Sequence, residues 1–348
     1  MIPVEEVLLQ AKEMNASDIH FSVDNPPKMR VNGDLVALHF PILTESDTDT
    51  IFRRVVTPRA EEEFLRNGEC DFSTTVPECG RYRINAYRKC STTALAFRVV
   101  HTEIPPAEVL RIPDSVIKLT ECKHGFVLVT GPTGSGKSTT QACLINIINQ
   151  TRNAHIITLE DPIEFLHHSD HSMVNQREIG IDSGSFANAL RAALREDPDV
   201  IFVGEMRDPE TVSVALSAAE TGHLVLSTLH TTGASNAIDR IIDMFPSQHQ
   251  QQIQVQLANV LTAVVAQQLI PMGIGRGSAA AFEVLLANDA ARSMIREGKS
   301  YLLPNVIQTN RKNGMITMAE SIRQLYFSGV ISRKEAVAYL SSPDELNL

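Results

Sequence analysis

The clearest chemistry in the sequence lies in one short run. Gly131 to Ser138 reads G-P-T-G-S-G-K-S, which satisfies the phosphate-binding pattern G-x-x-x-x-G-K-[ST]. Glycines suit such a loop because a Cβ would keep the backbone from wrapping a phosphate with successive N–H groups. Gly131, Pro132, Thr133, Gly134, Ser135 and Gly136 form the expected cradle, with Thr139 just behind it. Lys137 can set an ammonium on the β- and γ-phosphates, and the Ser138 hydroxyl is the expected Mg2+ ligand. The implied ligand is a nucleoside triphosphate.

The flanking sequence supplies the elements such a loop needs. Phe126 to Val129 is a continuous apolar run, as in a strand buried on both faces. Thr139 onward has helical spacing in Leu144, Ile147 and Ile148. The phosphates would therefore sit at a helix N-terminus, where free N–H groups and the dipole favour anions.

Three further segments carry acids or histidines near expected strand ends, where an open parallel sheet places its ligand. ITLEDPIEF offers Glu160, Asp161 and Glu164, carboxylates able to hold metal-bound waters. DPDVIFVGEMRD places Glu205 just past the apolar run Val200 to Val203, suited to deprotonating an attacking water. Gly204 stands where a metal-binding Asp is usual, so Glu205 reads as base and not as ligand. Arg207 reads either as a γ-phosphate reader or as an ion-pair partner of Asp208. GHLVLSTLH places His223 and His230 seven apart, on opposite faces of an ideal strand, which argues against a shared metal. A His at one end could instead hydrogen-bond the γ-phosphate or nearby carboxylates. His167, His168 and His171 with Asp170 have no second ligand pair, and zinc is not expected there.

The N-terminal hundred residues read as a separate α+β domain. Residues 3–15 have an amphipathic helical face, Asp18 to Val23 alternates as a strand, and KMRV and DLVAL flank the hairpin signal Asn32-Gly33. Thr44 to Asn67 is helical in pattern, and Arg81–Tyr87 and Ala94–Val100 read as strands. A hairpin turning at Cys90-Ser91 would pair Arg83 with Arg98 on the polar face. Two guanidiniums so placed repel unless an anion joins them. A solvated strand face is the alternative.

Residues 102–113 contain three prolines and read as a linker. Residues 114–348 then alternate helices with the strands FVLV, HIITLE, DVIFVGE and HLVLSTLH, a RecA-like α/β pattern. Gln250 to Leu269 shows one helical apolar face, Gly273 to Gly277 reads as a loop, and residues 288–340 as short helices. At 348 residues and 43% hydrophobic content the chain can fill two cores. A net charge of −10 disfavours a polyanion binder. Five scattered cysteines suggest reduced thiols. No signal peptide or membrane-spanning run is evident, so membrane association is expected only through a partner.

Together these motifs resemble the secretion-superfamily hexameric ATPases, and among them the type IV pilus retraction ATPases, over almost the whole chain. ASDIHFSVDNPPKMRVNGDL is similar to their PAS-like N-terminal domain. GPTGSGKSTT is similar to their Walker A, ITLEDPIEF with VNQREIG to their Asp box, and LRAALREDPDVIFVGEMRDPET to their atypical Walker B. AAETGHLVLSTLHT with AIDRIIDMFP is similar to their His box. The resemblance implies an ATPase using ATP and Mg2+, with Glu205 as general base and Glu160 and Glu164 acting beside it. It places His223 and His230 near the nucleotide, and Arg83 and Arg98 as N-terminal-domain arginines that reach the phosphates. It further implies a cytoplasmic homohexamer that meets an inner-membrane pilus platform protein and allows for a paralogous retraction ATPase as partner.

Assembly-branch relatives carry a longer N-terminal region and a tetracysteine element, which this sequence lacks. Where retraction ATPases have an AIRNLIRE-like segment, residues 290–297 read AARSMIRE. The alternatives are an accessory paralogue, a nucleic-acid translocase and an idle ATP-binding ring. The acidic net charge speaks against the second, and Lys137, Ser138 and Glu205 together speak against the third.

Overall fold

The computed structural model describes residues 3–31, 33–100, 103–273, 277–340 and 342–346. The chain divides into two units, Met1–Thr102 and Glu103–Leu348.

In the first unit, helix α1 (Val4–Glu13) precedes strands β1 (Asp18–Phe21), β2 (Lys28–Val31) and β3 (Asp34–Ala37). Helices α2 (Glu45–Val55) and α3 (Pro58–Asn67) follow, then β4 (Glu69–Val76), β5 (Gly80–Lys89) and β6 (Thr92–Val100). Thr44 caps α2 through a reciprocal bond with Asp47, and Thr57 caps α3 with Pro58 at its first position. The six strands form an antiparallel sheet in the order β3-β2-β1-β6-β5-β4. Ile19, Phe21, Ile84 and Phe97 on one face pack with Leu8, Phe52 and Phe64 from the helices. Cys90 and Ser91 both adopt positive φ, and the β5–β6 hairpin turns there with Arg83 paired to Arg98, as the sequence suggests. Strand β4 is not apparent in the sequence, because Phe72 and Ser73 are both buried and break its alternation. Asn32 of the first hairpin lies outside the described residues.

The segment 102–113 is not the free linker its prolines suggest. Helix α4 (Ala107–Leu110) lies within it, and Ala107 and Ile112 join the buried cluster around Val127 and Leu144. Helix α5 (Asp114–Ile117) leads into β7 (Gly125–Thr130), all six residues of which are buried. Then come α6 (Lys137–Thr151), β8 (His155–Glu160), β9 (Met173–Glu178), α7 (Phe186–Ala193), β10 (Val200–Val203), α8 (Pro209–Glu220) and β11 (Leu224–Leu229). Helices α9 (Ala234–Asp243) and α10 (Ser247–Val260) precede β12 (Leu261–Pro271) and β13 (Ser278–Leu286). The short helices α11 (Asp289–Arg296), α12 (Leu303–Thr309), α13 (Met318–Phe327) and α14 (Arg333–Tyr339) complete the unit.

The second sheet has seven strands in the order β13-β12-β7-β11-β10-β8-β9, parallel except for the β12–β13 pair. Phe126 and Leu128 of β7 face one apolar cluster, and Val127 and Val129 face the other. That double burial is why β7 reads as an unbroken apolar run.

One expectation is corrected here. The helical face seen over Gln250 to Leu269 ends at Val260, and Leu261–Pro271 is a strand between β7 and β13. Ala263 to Ile270 is largely buried on both faces, and a run buried all round carries no period that separates helix from strand. Residues 274–276, within the expected loop at 273–277, lie outside the described residues.

Candidate nucleotide-binding and catalytic site

Strand β7 ends at the loop, and α6 begins at Lys137 behind Gly136, which has φ 84°. Glycine is required twice here for steric reasons. A Cβ on Gly131 would lie 2.3 Å from the Gln267 carbonyl oxygen, and one on Gly136 would lie 2.9 Å from Gln267 Nε2. Gln267 is buried on β12 and its Oε1 accepts from Thr140 Oγ1 at 2.8 Å, so it underpins the loop from below. The sequence holds no signal for this role, since Gln267 is 127 residues from Thr140.

The Lys137 ammonium is 7% exposed and donates to the carbonyls of Gly131 (2.8 Å) and Pro132 (3.0 Å). Burial pushes its pKa down, while Glu164 and Glu205 push it back up. Thr133, Gly134, Ser138 and Thr139 line the adjoining cavity of about 520 Å3, and Ser135 Oγ is buried without a partner among the described residues.

Across that cavity stand the acids. Glu205, 8% exposed, emerges two residues beyond the end of β10. Its Oε1 is 2.6 Å from Arg207 Nη2 and its Oε2 is 3.4 Å from His230 Nε2. His230 Nδ1 is in turn 3.4 Å from Lys137 Nζ, so one imidazole spans the lysine and the carboxylate. A neutral ring fits this position, accepting from Lys137 at Nδ1 and donating to Glu205 from Nε2. The ion-pair partner of Arg207 is Glu205 and not Asp208. Asp208 is occupied as the N-cap of α8, accepting from the Thr211 backbone at 2.8 Å.

Gly204 explains the missing aspartate at the strand end. A Cβ there would lie 3.1 Å from the Leu159 carbonyl oxygen and 3.4 Å from Glu160 Cα. Gly204→Asp is therefore expected to destabilise the fold by about 1–3 kcal/mol, seen as a lower denaturation midpoint.

Glu160 accepts from Thr158 Oγ1 at 2.6 Å and from Gln176 Nε2 at 3.0 Å. Burial nevertheless pushes its pKa up from 4.5 to about 7, with Glu164 and Glu178 adding repulsion. The folded state thus holds this proton to higher pH than the unfolded chain does. Folding stability should fall as pH rises from 4.5 to about 7, and Glu160→Gln should flatten that fall in thermal melts. Glu164, exposed, lines the same cavity with Asp161, Phe165 and His167.

His223 is not brought to this group. It precedes β11, with Nδ1 2.9 Å from the Ala218 carbonyl oxygen, whereas His230 follows the other end of that strand. Six strand residues separate the two histidines by about 20 Å. Arg83 and Arg98 belong to the N-terminal unit, where Arg98 Nε donates to Asp18 Oδ1 at 2.9 Å. In the AARSMIRE helix α11 the two arginines differ. Arg292 donates to the carbonyls of Ala258 and Asn259, at the end of α10, and of Ala287, whereas Arg296 is exposed.

A glycine-rich loop between a central parallel strand and a helix, faced by a buried carboxylate, defines a P-loop ATPase. Residues 111–338 match the Type II/IV secretion system protein family. A twitching motility protein of Neisseria gonorrhoeae is 46% identical over 310 residues, covering 89% of this chain and 83% of that protein. The type IV pilus retraction ATPase PilT of Pseudomonas aeruginosa is 41% identical and covers 96% of each. A crystal structure of the pilus retraction motor PilT with bound ADP has a TM-score of 0.93 at 45% identity, covering 100% of this chain and 99% of that one. The chain belongs to the type II/IV secretion ATPase family, in its PilT/PilU branch.

Proposed function

We propose that this protein is a motor that hydrolyses Mg·ATP to drive type IV pilus retraction and hence twitching. The observation that carries the chemistry is the line Lys137–His230–Glu205 across the loop cavity. The pilus assignment is supported by the near full-length likeness to PilT. On nucleotide binding, Lys137 exchanges the Gly131 and Pro132 carbonyls for β- and γ-phosphate oxygens. Glu205 takes the proton of the attacking water, and His230 keeps its carboxylate aimed. Arg207 must release Glu205 Oε1 for that oxygen to face a water, since the guanidinium now occupies it at 2.6 Å. Arg83 and Arg98 supply positive charge to the transferring phosphate.

The cavity suits Mg2+. The Ser138 hydroxyl shares it with Glu160 and Glu164, hard oxygen groups able to order metal-bound waters. A magnesium ion held there would supply positive charge to offset that of the phosphates. The protein acts as a homohexamer at the cytoplasmic face of the inner membrane, docked on a pilus platform protein. No described helix is long and apolar enough to cross a membrane.

Deleting the gene should leave cells hyperpiliated and unable to twitch, as counted by electron microscopy and stab-agar assay. Deleted cells that twitch normally would remove the retraction assignment. Cells that twitch but pull with less force would place the protein in an accessory role.

A further inference from the structure

A row of charge runs across the polar face of the N-terminal sheet. Strand register aligns Arg30, Asp18, Arg98 and Arg83 on the successive strands β2, β1, β6 and β5. Three guanidiniums thus lie in one row with a single carboxylate, in a protein whose net charge is −10. Arg30 is directed elsewhere, donating from Nη1 to the Gly33 carbonyl at 2.7 Å. Arg83 makes no hydrogen bond or ion pair among the described residues, although it lies directly opposite Arg98.

Asp18 is held at both oxygens. Ser17 Oγ donates to its Oδ2 at 2.8 Å, and Arg98 Nε donates to its Oδ1 at 2.9 Å. The Asp18 side chain is 16% exposed and that of Arg98 is 71% exposed. Among the described residues Arg98 uses only Nε, so both Nη groups are left open. A guanidinium fixed along one edge loses less freedom when its other edge takes a planar or tetrahedral oxyanion in a fork.

We infer that Asp18 is a positioning residue for Arg98, holding Nε so that the two Nη groups, beside Arg83, are presented to a phosphate. This rests on the reading of Arg98 given under Proposed function. Asp18 itself does not touch nucleotide. With its Arg98 partner 71% exposed, the ion pair is screened by solvent and contributes little to folding, so the loss of Asp18 is read in the Arg98-dependent step.

The test compares ATP hydrolysis, ATP affinity and thermal midpoint for full-length D18A, D18N, R98A and D18A/R98A proteins. D18A should lower kcat by about fivefold to thirtyfold with the midpoint and ATP affinity nearly unchanged. D18N, whose amide oxygen still accepts from Nε, should recover most of that rate. The double variant should be no slower than R98A, because Asp18 acts only through Arg98. Wild-type turnover by D18A beside an impaired R98A would overturn the inference and leave the Arg98 reading intact. So would a D18A loss that multiplies with that of R98A. Wild-type turnover by R98A would remove the Arg98 reading, and this inference with it.

Discussion

Glu205→Gln should lower ATP turnover by about 10²–10⁴-fold while ATP still binds. The substitution keeps shape and length, and the amide oxygen can still accept from His230 or Arg207, so the loop and cavity are expected to survive. What disappears is a basic oxygen beyond the end of β10. Glu205 is the buried acid tied to the P-loop lysine through one imidazole, with 3.4 Å on either side of the ring. Single-turnover phosphate release, measured beside binding of a fluorescent ATP analogue, separates the two effects. Near-normal hydrolysis would move the base to Glu160 or Glu164, which line the same cavity. Of these, Glu160, with a pKa of about 7, would be the first to examine.

Lys137→Ala should act earlier, at binding. The ammonium is buried in the loop and bonded to two of its carbonyls, so its removal takes away an expected charge-assisted phosphate contact and a brace of the loop. Losing a desolvated charged partner weakens triphosphate affinity by about 30-fold or more. Isothermal titration with ATP and ADP checks this directly. The loss should be larger for ATP, whose γ-phosphate lies within reach of the lysine. Equal and small losses for both nucleotides would mean that the lysine mainly supports the loop. Because Lys137 also contacts His230, any residual turnover in this variant should be slow even at saturating ATP.

The parts of this site that lie close in sequence were legible. Strand, glycine loop and helix follow one another within residues 125–151, and the apolar run of β7 declares its double burial. The β5–β6 register could be read because a tight turn at Cys90-Ser91 leaves little choice of pairing. What escaped depends on distant partners. Gln267 supports the loop from a strand that reads as helix, because side chains buried on both sides obey neither period. Asp18 and Arg98 are 80 residues apart, and no local pattern announces their bond. His223 and His230 flank one strand, yet sequence spacing alone did not say that only one of its ends meets the phosphate loop.

Strand β12 links two parts of the second unit. Gln267, its seventh residue, lies against Gly131 and Gly136 of the expected phosphate loop, while its first residue, Leu261, follows directly from α10, whose final carbonyls are gripped by Arg292. A ribbon laced to neighbours on both sides, β7 and β13, hardly stretches along its length. Leu261 and Gln267 are therefore held at a nearly fixed spacing of about 20 Å.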